Sequence, residues 1–162
     1  MKHTISALVE NEFGVLTRIA GLFSGRGYNI QSLTVAETLD PHVSRMTIVT
    51  SGNDAVIDQI NKQLSKLVNV IKVRDMTSER AINRILALVK VKLNETNRNE
   101  VIKAVETIGG EVLDVEETYC VVEVRGDEEK IGSTLNLLKP YGILDFAQTG
   151  NICIPRGKEE EF

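Results

Sequence analysis

A chain of 162 residues, 42% hydrophobic and 26% charged, carries enough apolar material for one medium domain or two small ones. A formal net charge of −4, aromatics at only 4% and no Trp argue against a nucleic-acid surface, which needs basic patches and stacking rings. No apolar run approaches a membrane span, and "MKHTISALVENEFG" meets Glu10 and Glu12 too early to read as a signal or transit peptide.

"HTISALVE" alternates as a strand does, with Ile5, Ala7 and Val9 on one face and Ser6 and Leu8 on the other. "VLTRIAGLFSGRG" follows, with Val15, Leu16, Ile19, Ala20, Leu22 and Phe23 on one helical face and Gly25 and Gly27 as stops. "NIQSLTVAET" reads as a second strand, "LDP" as a turn, and "VSRMTIVTSG" as a third strand. Asn53 or Asp54 caps a helix whose Val56, Ile57, Ile60, Leu64 and Leu67 form one stripe. "NVIKVRDM" is the fourth strand, which gives the order βαββαβ.

"TSERAINR" is polar and aperiodic, so a linker is expected over 77–83, between a first unit over 1–76 and a second over 84–162. The element order then repeats. "ILALVKVKL" is a strand, and "NRNEVIKAVETIGG" is a helix with Val101, Ile102, Val105 and Ile108 inward. "EVLDVEET" and "YCVVEVRG" are strands, and "DEEKIGSTLNLLKPYG" is a helix capped by Asp127. "ILDFAQTGNICIPRG" closes with a strand and an apolar extension, and "KEEEF" is a solvated tail. The fold class expected is α+β, two βαββαβ units in tandem, each about 75 residues long. Such a unit has both helices on one sheet face, and strands such as "ILALVKVKL" are apolar on both sides. Oligomerisation follows as an expectation.

Catalytic chemistry is hard to find. His3 and His42 are the only histidines, and both are expected at the surface. No HExxH, GxSxG or P-loop occurs, and no metal-ligand cluster. "GRGYNI" lacks the third Gly and the following helix of a dinucleotide loop. Cys120 and Cys153 have no metal or CxxC spacing and read as reduced core residues of a cytoplasmic protein.

One junction is unusual. "NEFGVL" joins the first strand to the first helix, and a helix start has no need of Gly. Helix N-termini present unpaired N–H groups and a partial positive charge, which suit a carboxylate. Gly14 lets a ligand approach them, and Asn11 offers either an amide carbonyl or an NH2. Asn29 begins a second strand that can lie beside the first, so the two Asn side chains can converge near the helix or across a dimer interface. These groups with an aliphatic wall describe a site for a free aliphatic amino acid. The plainer reading stays open: Asn11 as a turn or cap, Gly14 as a tight turn, Asn29 as the residue after a Gly stop.

"ENEFGVLTRIAGLFSGRGYNIQSLTVAET", "SRMTIVTSG" and "QINKQLSKLVNVIKV" closely resemble the regulatory subunits of acetolactate synthase (acetohydroxyacid synthase). The resemblance implies an ACT domain first and a ferredoxin-like domain second. It implies a non-catalytic partner that activates the catalytic subunit and confers feedback inhibition by valine or another branched-chain amino acid. It also implies effector sites between ACT domains of a homodimer. Positions matching the family's effector motif are Asn11, Gly14, Val15, Leu16, Asn29 and Ile30. No cofactor or metal is expected on this chain; thiamine diphosphate, Mg and FAD are expected on the catalytic subunit. Phe13 departs from the smaller residue frequent there, and "NETNRNEV" lacks the Asn-x-x-Gly junction, so sensing is expected in the first unit only. Two alternatives share the βαββαβ order. A stand-alone amino-acid sensor acting on another target is one. The other is an RRM-like RNA binder, against which the aromatic-poor third strand counts.

Overall fold

The computed structural model describes residues 1–77 and 81–156. The first run of elements is β1 (Lys2–Glu10), α1 (Val15–Gly25), β2 (Ile30–Glu37), β3 (Val43–Ser51), α2 (Asp54–Leu64) and β4 (Val70–Asp75). The second is β5 (Ala81–Lys92), α3 (Arg98–Thr107), β6 (Glu111–Val115), β7 (Tyr119–Gly126), α4 (Glu128–Leu138), β8 (Ile143–Gln148) and β9 (Ile152–Pro155). Both runs form antiparallel sheets, ordered β2-β3-β1-β4 and β6-β7-β5-β8, with β9 pairing to β5 off that path. The chain is therefore two tandem ferredoxin-like βαββαβ units, as the element order predicts.

Alternation builds the first core. Ile5, Ala7 and Val9 of β1 and Met46 and Ile48 of β3 point to one face, where they meet Val15, Ile19 and Phe23 of α1 and Ile57, Ile60 and Leu64 of α2. The period of two on the strands and of nearly four on the helices aims both sets at the same layer. The second unit repeats this with Ala87, Val89 and Val91 of β5, Cys120, Val122 and Val124 of β7, and Val101, Val105, Ile131 and Leu138 of its helices. α1 buries a narrower stripe than its sequence suggests, since Leu16 stays 47% exposed beside the helix start.

Three expectations change. β5 begins at Ala81, ahead of the predicted Ile85, so Ala81–Asn83 are strand where a linker is expected; residues 78–80 lie outside the described ones. Asn83 and Arg84 look like loop by composition, but a strand needs cover only at alternate positions, and 81, 83 and 85 are the half-buried ones. The closing strand and extension are two strands, β8 and β9, and residues 150–156 group with the first unit, while Asn83–Thr149 form the second. Gly150 fits closely there: a Cβ on it would lie 2.4 Å from Thr34 Oγ1 and 3.0 Å from the Leu33 carbonyl carbon. The tail at 158–162 lies outside the described residues. Finally, His3 is 5% exposed and not a surface residue, because it shares the inward parity of Ile5 and Ala7. His42 is exposed.

Cys120 and Cys153 are buried thiols outside any disulfide, and burial pushes the Cys120 thiol up, away from the reactive thiolate. Two helices carry side-chain caps: Asn53 accepts from Val56 N–H at 3.0 Å and Asp127 from Lys130 N–H at 2.9 Å. Asp127→Ala is expected to destabilise the second unit by about 1 kcal/mol. A lowered urea midpoint, with the response to effector unchanged, is the expected result, and an unchanged midpoint would show that the cap contributes nothing.

Candidate functional site

α1 starts differently from α2 and α4. Its N-cap residue is Gly14, at φ 84° and ψ −6°, and no side chain caps it. Left-handed backbone of this kind is cheap only for glycine, with Asn and Asp the next best tolerated. A Cβ at Gly14 would meet nothing within 4 Å, so the backbone dihedral demands glycine while the space before it stays open. Gly14 therefore makes a turn, and the space in front of it is open.

Arg18 N–H donates to the Gly14 carbonyl at 2.9 Å and closes the first turn, while Val15 N–H reaches only the Glu12 carbonyl at 3.4 Å. The Leu16 and Thr17 N–H groups precede the first intrahelical acceptor and have none within the helix. No acidic residue occupies the first turn. The positive end of the α1 dipole is thus not neutralised by its own residues.

Asn11 is not the cap. Its N–H donates to the His42 carbonyl at 2.7 Å. Its side-chain Nδ2 donates to Glu37 Oε1 at 3.1 Å and to the Pro41 carbonyl at 2.9 Å. The β1–α1 loop is thereby fastened to the β2–β3 turn. That turn is itself ordered: His42 N–H donates to Asp40 Oδ1 at 2.9 Å and Thr38 N–H to the Val43 carbonyl at 2.9 Å. Phe13 and Leu39, one on each loop, project fully into solvent at 108% and 107% exposure. The sequence gives no sign of Glu37 or Pro41 at this place, since they lie 26 and 30 residues from Asn11 along the chain.

Asn29 and Ile30 are elsewhere. β2 does not lie beside β1; β3 lies between them. A tight turn makes β2 and β3 a hairpin, and hairpin strands pair with each other first. The α1 crossover accordingly skips the position that β3 fills. The register fixes the distance. Ile30 pairs with Thr50, which pairs with His3 at the start of β1, whereas Glu10, at its end, pairs with Val43. At 3.3 Å per residue, Asn11 and Asn29 stand roughly 25 Å apart along the sheet. Convergence of the two amides within one chain is excluded.

The Asn29 corner is nonetheless built. Thr50 Oγ1 donates to the Asn29 carbonyl at 2.7 Å, and Ile30 packs on the first core. The Asn29 side chain is exposed and makes no hydrogen bond among the described residues. β2, which joins this corner to Glu37, is an edge strand with one side of its backbone unpaired in the sheet.

The second unit offers no equivalent. The loop before α3 closes on itself, with Asn94 Oδ1 accepting from Thr96 N–H at 3.0 Å and Asn97 N–H at 2.8 Å, and Asn97 Oδ1 accepting from Asn94 N–H at 2.8 Å. Among the described residues no group of His, Cys, Asp or Glu is placed to hold a metal ion. None of their helices is long and apolar enough to cross a membrane.

Comparison with known proteins adds to this geometry. The family described as "AHAS small subunit-like ACT domain" matches residues 5–72, and the family described as "Small subunit of acetolactate synthase" matches residues 84–157. A probable acetolactate synthase small subunit of Methanothermobacter thermautotrophicus is 47% identical over 156 residues, covering 96% of this chain and 93% of the relative. The acetolactate synthase small subunit of Mycolicibacterium smegmatis is 45% identical over 155 residues, covering 96% and 91%. The crystal structure of the acetolactate synthase small subunit from Thermotoga maritima superposes with a TM-score of 0.89 at 36% identity, covering 98% of this chain and 99% of that one.

Proposed function

Because this chain belongs to the family of acetolactate synthase small subunits, we propose that it is the non-catalytic subunit that activates the synthase and makes it sensitive to valine or a related branched-chain amino acid. One observation carries the effector site. The two halves of the expected site, Asn11 to Leu16 and Asn29 with Ile30, sit at opposite ends of an edge strand. Two copies of β2 pairing antiparallel about a two-fold axis bring the end of one strand beside the start of the other. Asn11 and Gly14 of one protomer then face Asn29 and Ile30 of its partner, twice per dimer. The same pairing removes an exposed sheet edge.

In such a site valine's carboxylate meets the Gly14–Leu16 N–H groups. Its ammonium meets the amide carbonyls of Asn11 and Asn29, and its isopropyl group meets the aliphatic side chains of Val15, Leu16 and Ile30. Full burial of that group contributes roughly 1.5–3 kcal/mol. Feedback requires valine to favour a less active holoenzyme by a coupling of roughly 1–3 kcal/mol. Thiamine diphosphate, Mg and FAD belong, in this reading, to the catalytic partner, and the pair works in the cytoplasm.

Reconstitution tests the proposal. The purified chain alone is expected to form no acetolactate from pyruvate. Mixed with the catalytic subunit it should copurify, raise the rate and render it valine-sensitive. Turnover by the isolated chain, or a catalytic subunit indifferent to its presence, would sink the reading.

A further inference from the structure

Asn11 has one amide and two ways to turn it. Both partners of its Nδ2 are acceptors: the Glu37 carboxylate oxygen at 3.1 Å and the Pro41 carbonyl at 2.9 Å. Neither can donate, so chemistry alone requires the NH2 to face them. Both amide protons are then spent inside the chain. Oδ1 is left over, and among the described residues it accepts no hydrogen bond. An Asn that presents only an acceptor recognises a cation or a neutral donor, and it rejects a carboxylate.

From this geometry we infer that Glu37 is a positioning residue that sets the polarity of the effector site, holding Asn11 so that it reads the ligand's ammonium. The inference rests on the amino-acid-sensing reading above and adds a residue and a role to it. Glu37 acts through Asn11, from the last position of β2, and the Asn11 N–H to His42 bond keeps the loop in place beside it. Its carboxylate also sets a negative charge behind the amide, which favours a cation in front of it. The polarity matches the neighbouring helix start. Uncapped N–H groups take the anionic end of an amino acid, and the fixed Asn11 carbonyl takes the cationic end. Without Glu37 only the Pro41 carbonyl still holds the NH2, so the amide turns over more readily and then presents its NH2, which repels an ammonium.

The test compares valine with 3-methylbutanoate, which keeps the carboxylate and the isopropyl group but has no ammonium. Both are titrated calorimetrically into the full chain, by displacement where binding is weak. Wild type should prefer valine strongly. Glu37→Ala should weaken valine by at least tenfold, about 1.4 kcal/mol, and change 3-methylbutanoate by less than about twofold. Glu37→Gln retains an acceptor for Nδ2 but gains an NH2 that can face a turned amide, so it should fall between the two. It also carries the test if the alanine variant melts early. Equal losses for both ligands would show a structural role only and overturn the inference, as would an unaltered preference for valine. Wild type that binds valine no better than 3-methylbutanoate overturns it too, while leaving carboxylate recognition at α1 standing. Wild type that binds neither ligand removes the effector site itself, and this inference with it.

Discussion

Gly14→Asp is expected to yield a folded protein that still activates the catalytic subunit and no longer responds to valine. The backbone there is left-handed, so any side chain pays a conformational cost of roughly 1–2 kcal/mol. Asp pays less than most, because Asn and Asp tolerate this region and a carboxylate suits the uncapped α1 start by about 0.3–1 kcal/mol. Beyond its chain neighbours no atom lies within 4 Å of the new Cβ, so a clash adds nothing. Against a total stability of roughly 5–15 kcal/mol the fold survives. The effector does not. The Asp carboxylate takes the place of the ligand's, and two like charges about 4 Å apart repel by roughly 4 kcal/mol at an effective dielectric near 20. Affinity should fall by two to three decades.

Two companion substitutions separate charge from backbone. Gly14→Ala meets open space and pays the dihedral cost in full, so it should lower the melting temperature more than Gly14→Asp while keeping part of the valine response. Gly14→Asn matches the size of Asp without its charge, so it should lose far less affinity. The measurements are valine titration and inhibition of the reconstituted synthase, with melting of each variant alongside. A Gly14→Asp protein that remains fully valine-sensitive would place the carboxylate site elsewhere. Three variants that unfold alike would reduce Gly14 to a turn residue.

Local pattern and long-range placement were not equally readable in the sequence. Ile5, Ala7 and Val9, the stripe Ile57–Ile60–Leu64, and the Asp127 cap are all set by neighbours within a few residues, and periodicity reveals them. Gly14 was legible as an oddity for the same reason: a glycine in a first turn contradicts propensity. The site's partners were not legible. That Asn11 is held by Glu37 and Pro41, and not used as a cap, depends on a hairpin turn placed by sheet pairing. The separation of Asn11 from Asn29 depends on register: β2 starts level with the start of β1, at the other end of the sheet from Asn11, and no window of sequence contains that. His3 reads as a surface residue because a lone polar residue at a strand end shows its burial only through the inward parity it shares with Ile5 and Ala7. At Ala81–Asn83 the polar composition conceals the alternation that marks the strand.

That separation also makes the strictest demand on the proposed mechanism. If Asn11 and Asn29 stand roughly 25 Å apart in one chain, at 3.3 Å per strand residue, then a ligand touching both must bridge two chains. Asn29→Ala should keep the fold, since the hydrogen bond at that corner runs from Thr50 to the main-chain carbonyl. It should cost valine one hydrogen bond from a charged group, about 1.5–3 kcal/mol, or roughly ten- to a hundredfold in affinity. Gly14→Asp disables the other half. Each variant alone forms homodimers with two impaired sites. Coexpressed under different tags and purified through both, they form mixed dimers of another composition. One site of a mixed dimer takes its helix start from the Asn29→Ala chain and its Asn29 from the Gly14→Asp chain, so it is wild type throughout; the other carries both lesions. Calorimetry should therefore find one valine bound per mixed dimer at close to wild-type affinity, restored from two chains neither of which binds well. A site contained within a single chain predicts no rescue at any mixing ratio. Absence of rescue in verified mixed dimers, or sedimentation as monomer with valine present, would break the link between the β2 edge and effector binding.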